Sequence, residues 1–136
     1  FLSDIKAMRV SEMHLIKAEA QVNANNLDGA AATLKVLRDA RLGTSTSLDS
    51  YISQTQAYDA VLKERRLELA FEGHRYLDLK RTRTLFNVGI TRDADDVSYL
   101  GNNFPSTVTS SDPRWTFPLP DAEVNGNPDI TQAPGY

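Results

Sequence analysis

The sequence predicts a mainly α-helical fold, built from helical hairpins and followed by an irregular, proline-rich C-terminal tail. Apolar residues recur at helical spacing through the first 86 residues, between recognisable cap and stop signals. All six prolines lie beyond Phe104. Residues 1–103 carry 14 basic and 14 acidic side chains, so the net charge of −3 belongs to the tail. We therefore expect a helical body over residues 1–86, a variable loop over 87–114 and an extended terminal motif over 115–136.

The length and composition fit one modest soluble domain or a piece of a larger protein. The chain has 136 residues, of which 40% are apolar and 24% charged. The balanced charges provide no basic field for nucleic acid, and no apolar run approaches the ~20 residues of a membrane span. The absence of cysteine excludes thiol catalysis, disulfides and cysteine-based zinc sites. Because Phe1 is not preceded by an initiator Met or a signal sequence, an internal or C-terminal fragment is expected.

Three helix signals, the last of which continues beyond Gly73 as a further helix, mark the expected body. The first covers residues 3–23, with Ser3 as its cap, and the second runs from Asp28 as N-cap to Gly43. The short turn between them predicts an antiparallel helical hairpin. A third helix is expected over residues 57–72, where Gly73 interrupts it, and a further helix over 74–82.

The tail contains one apolar stretch, residues 115–120, whose proline spacing forbids a helix or a central strand. It is expected to run extended, with Trp115 as a wedge that packs the tail onto the helices. Residues 121–124 are expected to form one short helical turn after Pro120.

Charged residues fall on the apolar faces of the predicted helices, where an amphipathic helix would place none. On the first helix the apolar arc contains Ile5, Met8, Met13, Leu15 and Ile16, and it also contains Arg9, Glu12 and Glu19. On the second, Arg38 and Arg41 share the face of Ala30, Leu34 and Leu37. On the third, Glu64, Glu68, Glu72 and Arg75 lie within a stripe of Val61, Leu62, Leu69, Phe71, Tyr76 and Leu79.

A buried charge without a partner costs several kcal/mol, so these groups must be paired or used for chemistry. We predict a structural ion-pair lattice in which Glu12 and Glu19 meet Arg38 and Arg41. Arg65 or Arg75 would then satisfy the glutamates of the third helix. Catalytic or ligand-binding use of one of these groups, and plain solvent exposure, are the alternatives.

Four segments resemble the C-terminal region of the SusD/RagB family, in the order in which that family has them. They are residues 63–81 (KERRLELAFEGHRYLDLKR), 9–20 (RVSEMHLIKAEA), 34–41 (LKVLRDAR) and the terminal pieces 115–120 and 127–136. Ala133 stands where the family commonly has Asn. Residues 87–114 match nothing specific.

The resemblance implies a function that the residues alone do not. SusD-like proteins have a helical scaffold with tetratricopeptide-like helix pairs, bind glycans or other nutrients, and act as lids on a TonB-dependent SusC-like transporter. They are lipoproteins of the outer membrane, exposed on the cell surface. The resemblance implies that this chain is the C-terminal part of such a protein, and that its lipid anchor lies in an N-terminal region absent from the chain. A helical-repeat scaffold for protein interaction, without a small-molecule ligand, is the alternative.

The candidate ligand-binding residues are Tyr99, Asn102, Asn103 and Phe104, which lie in the unmatched loop. Loops carry binding residues more often than scaffolds do, although a variable surface loop without ligand is the competing interpretation. Trp115 and Tyr76 are assigned to packing, which would leave no free ring face for a sugar.

Neither catalysis nor a metal site is expected. Glu64, Glu68 and Glu72 have a spacing that glycoside hydrolysis could use, but nearby arginines would keep them ionised and spoil a general acid. The aspartates at positions 93, 95 and 96 lack the glycine and distal glutamate of an EF-hand loop. No cofactor-binding motif is present.

Overall fold

The computed structural model describes residues 9–98 and 106–136, which are mainly helical, as predicted. The helices are α1 (Val10–Asn23), α2 (Leu27–Leu42), α3 (Gln54–Glu68), α4 (His74–Phe86), α5 (Ala94–Ser98) and α6 (Asp121–Gly126). Two short strands, β1 (Ile90–Thr91) and β2 (Thr107–Val108), and a 3₁₀ helix (Pro113–Trp115) complete the elements. The chain forms two compact units, Phe1–Tyr76 and Leu77–Tyr136. The predicted division into body, loop and tail stays a prediction.

In the first unit, α1 and α2 form the predicted helical hairpin. Asn25 adopts a left-handed φ of 58°, and the Asn26 side chain accepts the Gly29 amide at 2.9 Å, so Asn26 caps α2. This corrects the predicted Asp28 cap, because the side chain two positions earlier reaches the free amide. Gly43 ends α2 as predicted, with a φ of 65° that glycine adopts without strain.

The buried face of α1 differs from the predicted apolar arc. Its buried residues are Ser11, Leu15, Ala18 and Val22. Met13 and Ile16 are 44% and 47% exposed, so their assignment to the core was wrong. Both faces of α1 carry apolar residues, and the packed one is the face whose small side chains allow α2 and α3 close approach. Residues 3–8, including the predicted cap Ser3, lie outside the described residues.

Helix α3 packs against both helices of the hairpin. Ser53 caps it by accepting the Gln56 amide at 3.2 Å. The Gln54 amide donates to the Val22 carbonyl at 2.9 Å, and the Tyr58 hydroxyl donates to Asn23 at 2.6 Å. These two bonds tie the start of α3 to the end of α1.

The predicted stripe on the third helix is only partly correct. Val61, Leu62 and Leu69 are buried, but Phe71 is fully exposed at 108% of its reference area. Helix α3 ends at Glu68, and Phe71 takes a left-handed φ of 64°. The helical period therefore stops applying before position 71, and Phe71 leaves the predicted face.

The second unit brings the tail back to α4. Trp115 is 1% exposed, and its indole N–H donates to the Thr109 carbonyl at 2.8 Å. The Arg83 guanidinium on α4 lies over the ring, 5.5 Å from its centroid. These contacts confirm the predicted packing of Trp115. Helix α6 follows Pro120, where a helical turn was expected.

The segment between α4 and the tail contains structure that the sequence did not indicate. Strands β1 and β2 pair antiparallel, with Ile90 opposite Val108. A Cβ on Gly89 would lie 2.5 Å from the Val108 carbonyl oxygen, so only glycine permits this approach. Among the described residues, no helix is both long and apolar enough to cross a membrane.

Candidate functional site

The out-of-place charges meet in an ion-pair lattice between α2 and α3. The Arg38 Nε donates to Glu64 Oε1 at 2.6 Å, and its NH1 donates to Asp49 Oδ2 at 2.6 Å. Only 21% of the Arg38 side chain and 12% of the Glu64 side chain are exposed. Arg38 thus bridges α3 and the loop after α2, and the ion pair is largely shielded from solvent.

A second set of contacts lies one turn further along α3. Arg41 binds both carboxylate oxygens of Glu68, with Nε to Oε2 at 2.8 Å. Arg9, next to the start of α1, donates to the Glu68 carbonyl at 2.8 Å and lies 2.7 Å from Glu72 Oε1. Three arginines outside α3 therefore hold three glutamates in or just after α3.

This arrangement corrects the predicted partners. Arg38 and Arg41 form their ion pairs with residues of α3 and of the loop that follows α2. The predicted partners were Glu12 and Glu19 on α1. The reason is register: the two arginines are three residues apart and Glu64 and Glu68 four apart, so each pair shares one helix face. Glu12 and Glu19 are half-buried on α1, and Arg75 is exposed. The structural role assigned to the whole set stays a prediction.

The ion pairs favour the charged forms of Asp49 and Glu68. Burial opposes the charge of Arg38, but hydrogen bonds to Asp49 and Glu64 outweigh it, so the pKa of Arg38 is raised. The bond from Arg38 lowers the pKa of Asp49, and the bonds from Arg41 lower the pKa of Glu68. Burial, with a hydrogen bond to Asp49, raises the pKa of Tyr51 to about 12. A carboxylate held in this way binds cations well and donates protons poorly.

A separate acidic centre orders the loop after α2. Asp39 accepts hydrogen bonds from Lys35 and from the backbone and hydroxyl groups of Thr46, the last two at 2.7 Å. These three donors, led by Lys35, lower the pKa of Asp39 to about 2 from its usual 3.8. The charged form of Asp39 therefore fixes the loop to α2.

The Asp39 contacts predict a specific acid sensitivity. Because the folded pKa is depressed, the contribution of Asp39 to stability is present above its usual pKa of 3.8 and is lost as the pH falls towards about 2. Asp39→Asn should lower the free energy of unfolding at pH 7 and flatten its pH dependence across this window. Urea unfolding at several pH values measures this, and parallel curves for the two proteins would contradict it. Lys35→Met should raise the Asp39 pKa in an NMR titration.

The predicted ligand-binding residues Tyr99, Asn102, Asn103 and Phe104 all lie outside the described residues. The structure neither brings them together nor separates them. Among residues 9–98 and 106–136, no group of acidic or histidine side chains has a metal-binding arrangement.

A groove on the outer side of the α1–α2 hairpin was missed by the sequence analysis. Its lining residues are His14, Lys17, Gln21, Gly29, Ala32, Thr33 and Val36, around a volume of about 240 Å³. Three of them lie on α1 beside its buried face, where helical periodicity alone assigns them to solvent. The signal that could have found the groove is the spacing i, i+3, i+7 of polar residues on α1 and of small residues on α2.

Comparison with known proteins identifies the family of this chain. The family model described as the SusD family matches residues 2–136. The chain belongs to the SusD family. SusD-like protein P2 of Formosa agariphila (strain DSM 15362) is 26% identical over 136 residues, which cover 95% of this chain and 25% of that protein. SusD-like protein P38 of the same strain is 32% identical over 102 residues, or 67% of this chain and 20% of that protein.

The SusD-family chain therefore spans about a quarter or less of these curated relatives. No solved structure is a significant match. The signature segment 63–81 that first indicated the SusD family covers the end of α3, the turn after it and the first part of α4. This is the segment that supplies Glu64, Glu68 and Glu72 to the lattice.

Proposed function

We propose that this chain is the C-terminal part of a SusD-like cell-surface protein that binds glycans or other nutrients. In this proposal the whole protein covers a TonB-dependent SusC-like transporter as its lid. The supporting observation is the SusD family match over residues 2–136, which includes the signature segment on α3 and α4. The proposed location of the whole protein is the outer-membrane surface, where a lipid anchor holds it.

The lattice suits a scaffold role within that function. Arg38, Arg41 and Arg9 fix α3 against the hairpin through bonds of defined geometry, and bidentate arginine–carboxylate pairs specify position as well as energy. A lid must transmit the position of its ligand-binding residues to the surface that meets the transporter. A helix bundle with a fixed register can do so.

The proposal assigns binding rather than catalysis to this protein, in line with the SusD family. The glutamates of α3 are engaged by arginines, and the pKa of Glu68 is lowered, which disfavours a general acid. Glu68→Gln should therefore alter stability without any loss of glycan hydrolysis. Hydrolysis by the purified full-length protein that disappears in this variant would contradict the assignment.

Within the whole protein, Tyr99, Asn102, Asn103 and Phe104 are proposed to line the edge of a glycan site. Calorimetry with the full-length protein and its cognate glycan tests this by comparing the wild type with a Tyr99→Ala, Phe104→Ala double variant. An edge role predicts a loss of affinity below about tenfold, or about 1.4 kcal/mol. Complete loss of binding in a folded variant would place the main site in this segment.

The transporter partnership needs its own experiment. The full-length protein, expressed in its native host with a cleavable tag, should co-purify with a TonB-dependent transporter, and its deletion should abolish uptake of the cognate glycan. Co-purification with another protein and unchanged uptake would favour the alternative, a helical-repeat interaction scaffold without a small-molecule ligand.

A further inference from the structure

The groove between α1 and α2 offers hydrogen-bond donors in excess of acceptors. The Thr33 hydroxyl donates to Gln21 Oε1 at 2.7 Å, which occupies the amide oxygen and leaves the amide NH₂ group of Gln21 for another partner. Lys17 adds an ammonium group, and His14 adds an imidazole. The lining contains no carboxylate. A ligand that complements this groove must supply hydrogen-bond acceptors. A negatively charged group complements the Lys17 ammonium best.

Two polar side chains of the groove, those of Lys17 and His14, have no partner among the described residues. Within the described part of the chain, Lys17 forms no ion pair. His14 Nδ1 is buried and has no hydrogen-bond partner there. Buried polar atoms without partners are uncommon in folded proteins and call for a missing ligand, ion or water. Lys17 gives the groove a positive charge that no carboxylate among the lining residues offsets.

The shape of the groove limits what it can hold. Its volume of about 240 Å³ lies below the ~300–1,000 Å³ typical of pockets for drug-sized ligands. Val36 and Ala32 provide an apolar wall beside the donors, and Val36 is 54% exposed. A single sugar ring has an apolar C–H face and polar edges, which matches one apolar wall facing a row of donors.

We propose that this groove binds a carboxylate-bearing sugar of the uronic acid type. The carboxylate lies against Lys17, with the Gln21 amide as a second donor, and the C–H face of the sugar packs on Val36. The choice of a sugar as carrier of the carboxylate rests on the proposed nutrient-binding function. The groove has no aromatic side chain among its lining residues, so the affinity for a single sugar should be weak.

An NMR titration of the ¹⁵N-labelled full-length protein with sodium D-glucuronate tests the proposal, with D-glucose as the uncharged probe. The expected result is saturable shifts of the amide signals of His14, Lys17, Gln21 and Thr33 with glucuronate and none with glucose. Lys17→Gln should weaken binding about tenfold, as loss of a charge-assisted hydrogen bond does. Lys17→Arg should retain it. Lys63→Gln, on the exposed side of α3, is the matched control and should bind as the wild type does.

Several outcomes would overturn the inference. Equal shifts with glucose, no saturation with glucuronate, or unchanged affinity in a folded Lys17→Gln variant would each do so. Binding of a glutamate-rich peptide without binding of glucuronate would reassign the groove to an acidic protein partner. If the titration fails while the protein still co-purifies with the transporter and still supports uptake of a neutral glycan, only the proposal for this groove is wrong. If glucuronate binds in the groove but the protein does not support glycan uptake, only the proposed transport function is wrong.

Discussion

Trp115→Ala is expected to lower the stability of the second unit by about 3–5 kcal/mol, the range for truncating a buried aromatic residue. The Trp115 ring is 1% exposed, so its removal leaves a cavity. The Thr109 carbonyl also loses the indole N–H, and Arg83 loses the ring beneath its guanidinium. Residue-resolved amide hydrogen exchange measures the loss, because it reports the opening of each unit separately.

A matched control in the same unit is Leu85→Ala on α4. Its side chain is 72% exposed, so the change should stay within about 0.5 kcal/mol, as surface substitutions usually do. Far-UV circular dichroism provides a second readout of unfolding. Tryptophan fluorescence cannot serve, because Trp115 is the only tryptophan of the chain and is absent from the variant. Equal effects of the two substitutions would contradict the assignment of Trp115 as the anchor of the tail.

Arg38→Ala should lower the stability of the first unit by about 2–3 kcal/mol. This lies below the ~3–5 kcal/mol for breaking a fully buried pair, because the pair here is partly exposed. The substitution leaves the mostly buried Glu64 and the nearby Asp49 without their shared cation. Urea unfolding followed by circular dichroism, with amide exchange in α2 and α3, measures the loss.

Lys35→Ala on the same helix is the control for Arg38→Ala. It removes the i,i+4 pair with Asp39, in which both side chains are more exposed than Glu64. Its cost should stay within the ~0–1 kcal/mol of surface ion pairs. A double-mutant cycle of Arg38→Met with Glu64→Gln isolates the coupling between the two groups. A coupling near zero would show that Arg38 acts through packing of its aliphatic stem instead.

The lattice links stability to the proposed function. Its three glutamates belong to the signature segment that identifies the SusD family, and each is held by an arginine from outside α3. The segment therefore sets the register between α3 and the hairpin. We expect variants that break the lattice to disturb ligand binding of the whole protein only through this register, and not by removing a contact with the glycan.

Local signals in the sequence were sufficient to predict the main helices α1 to α4. Gly43 ends α2 because a left-handed residue is needed there. Ala30, Leu34 and Leu37 repeat at helical spacing and are buried. The unusual charges at positions 38, 41, 64 and 68 already indicated a lattice, since charges on an apolar face require partners. Each of these features depends on residues within one or two turns of the same helix.

The tertiary structure alone decided which faces and partners meet. The period of α1 gave two apolar faces, and only the approach of α2 and α3 selected Leu15 over Met13 and Ile16. Arg38 pairs with Glu64 and not with the glutamates of α1, because ion-pair partners depend on the register between helices that are far apart in sequence. Phe71 left its predicted stripe because α3 ends before it. The groove of His14, Lys17 and Gln21 exists only where α2 lies beside α1, and helical periodicity of one segment contains no information about its neighbour.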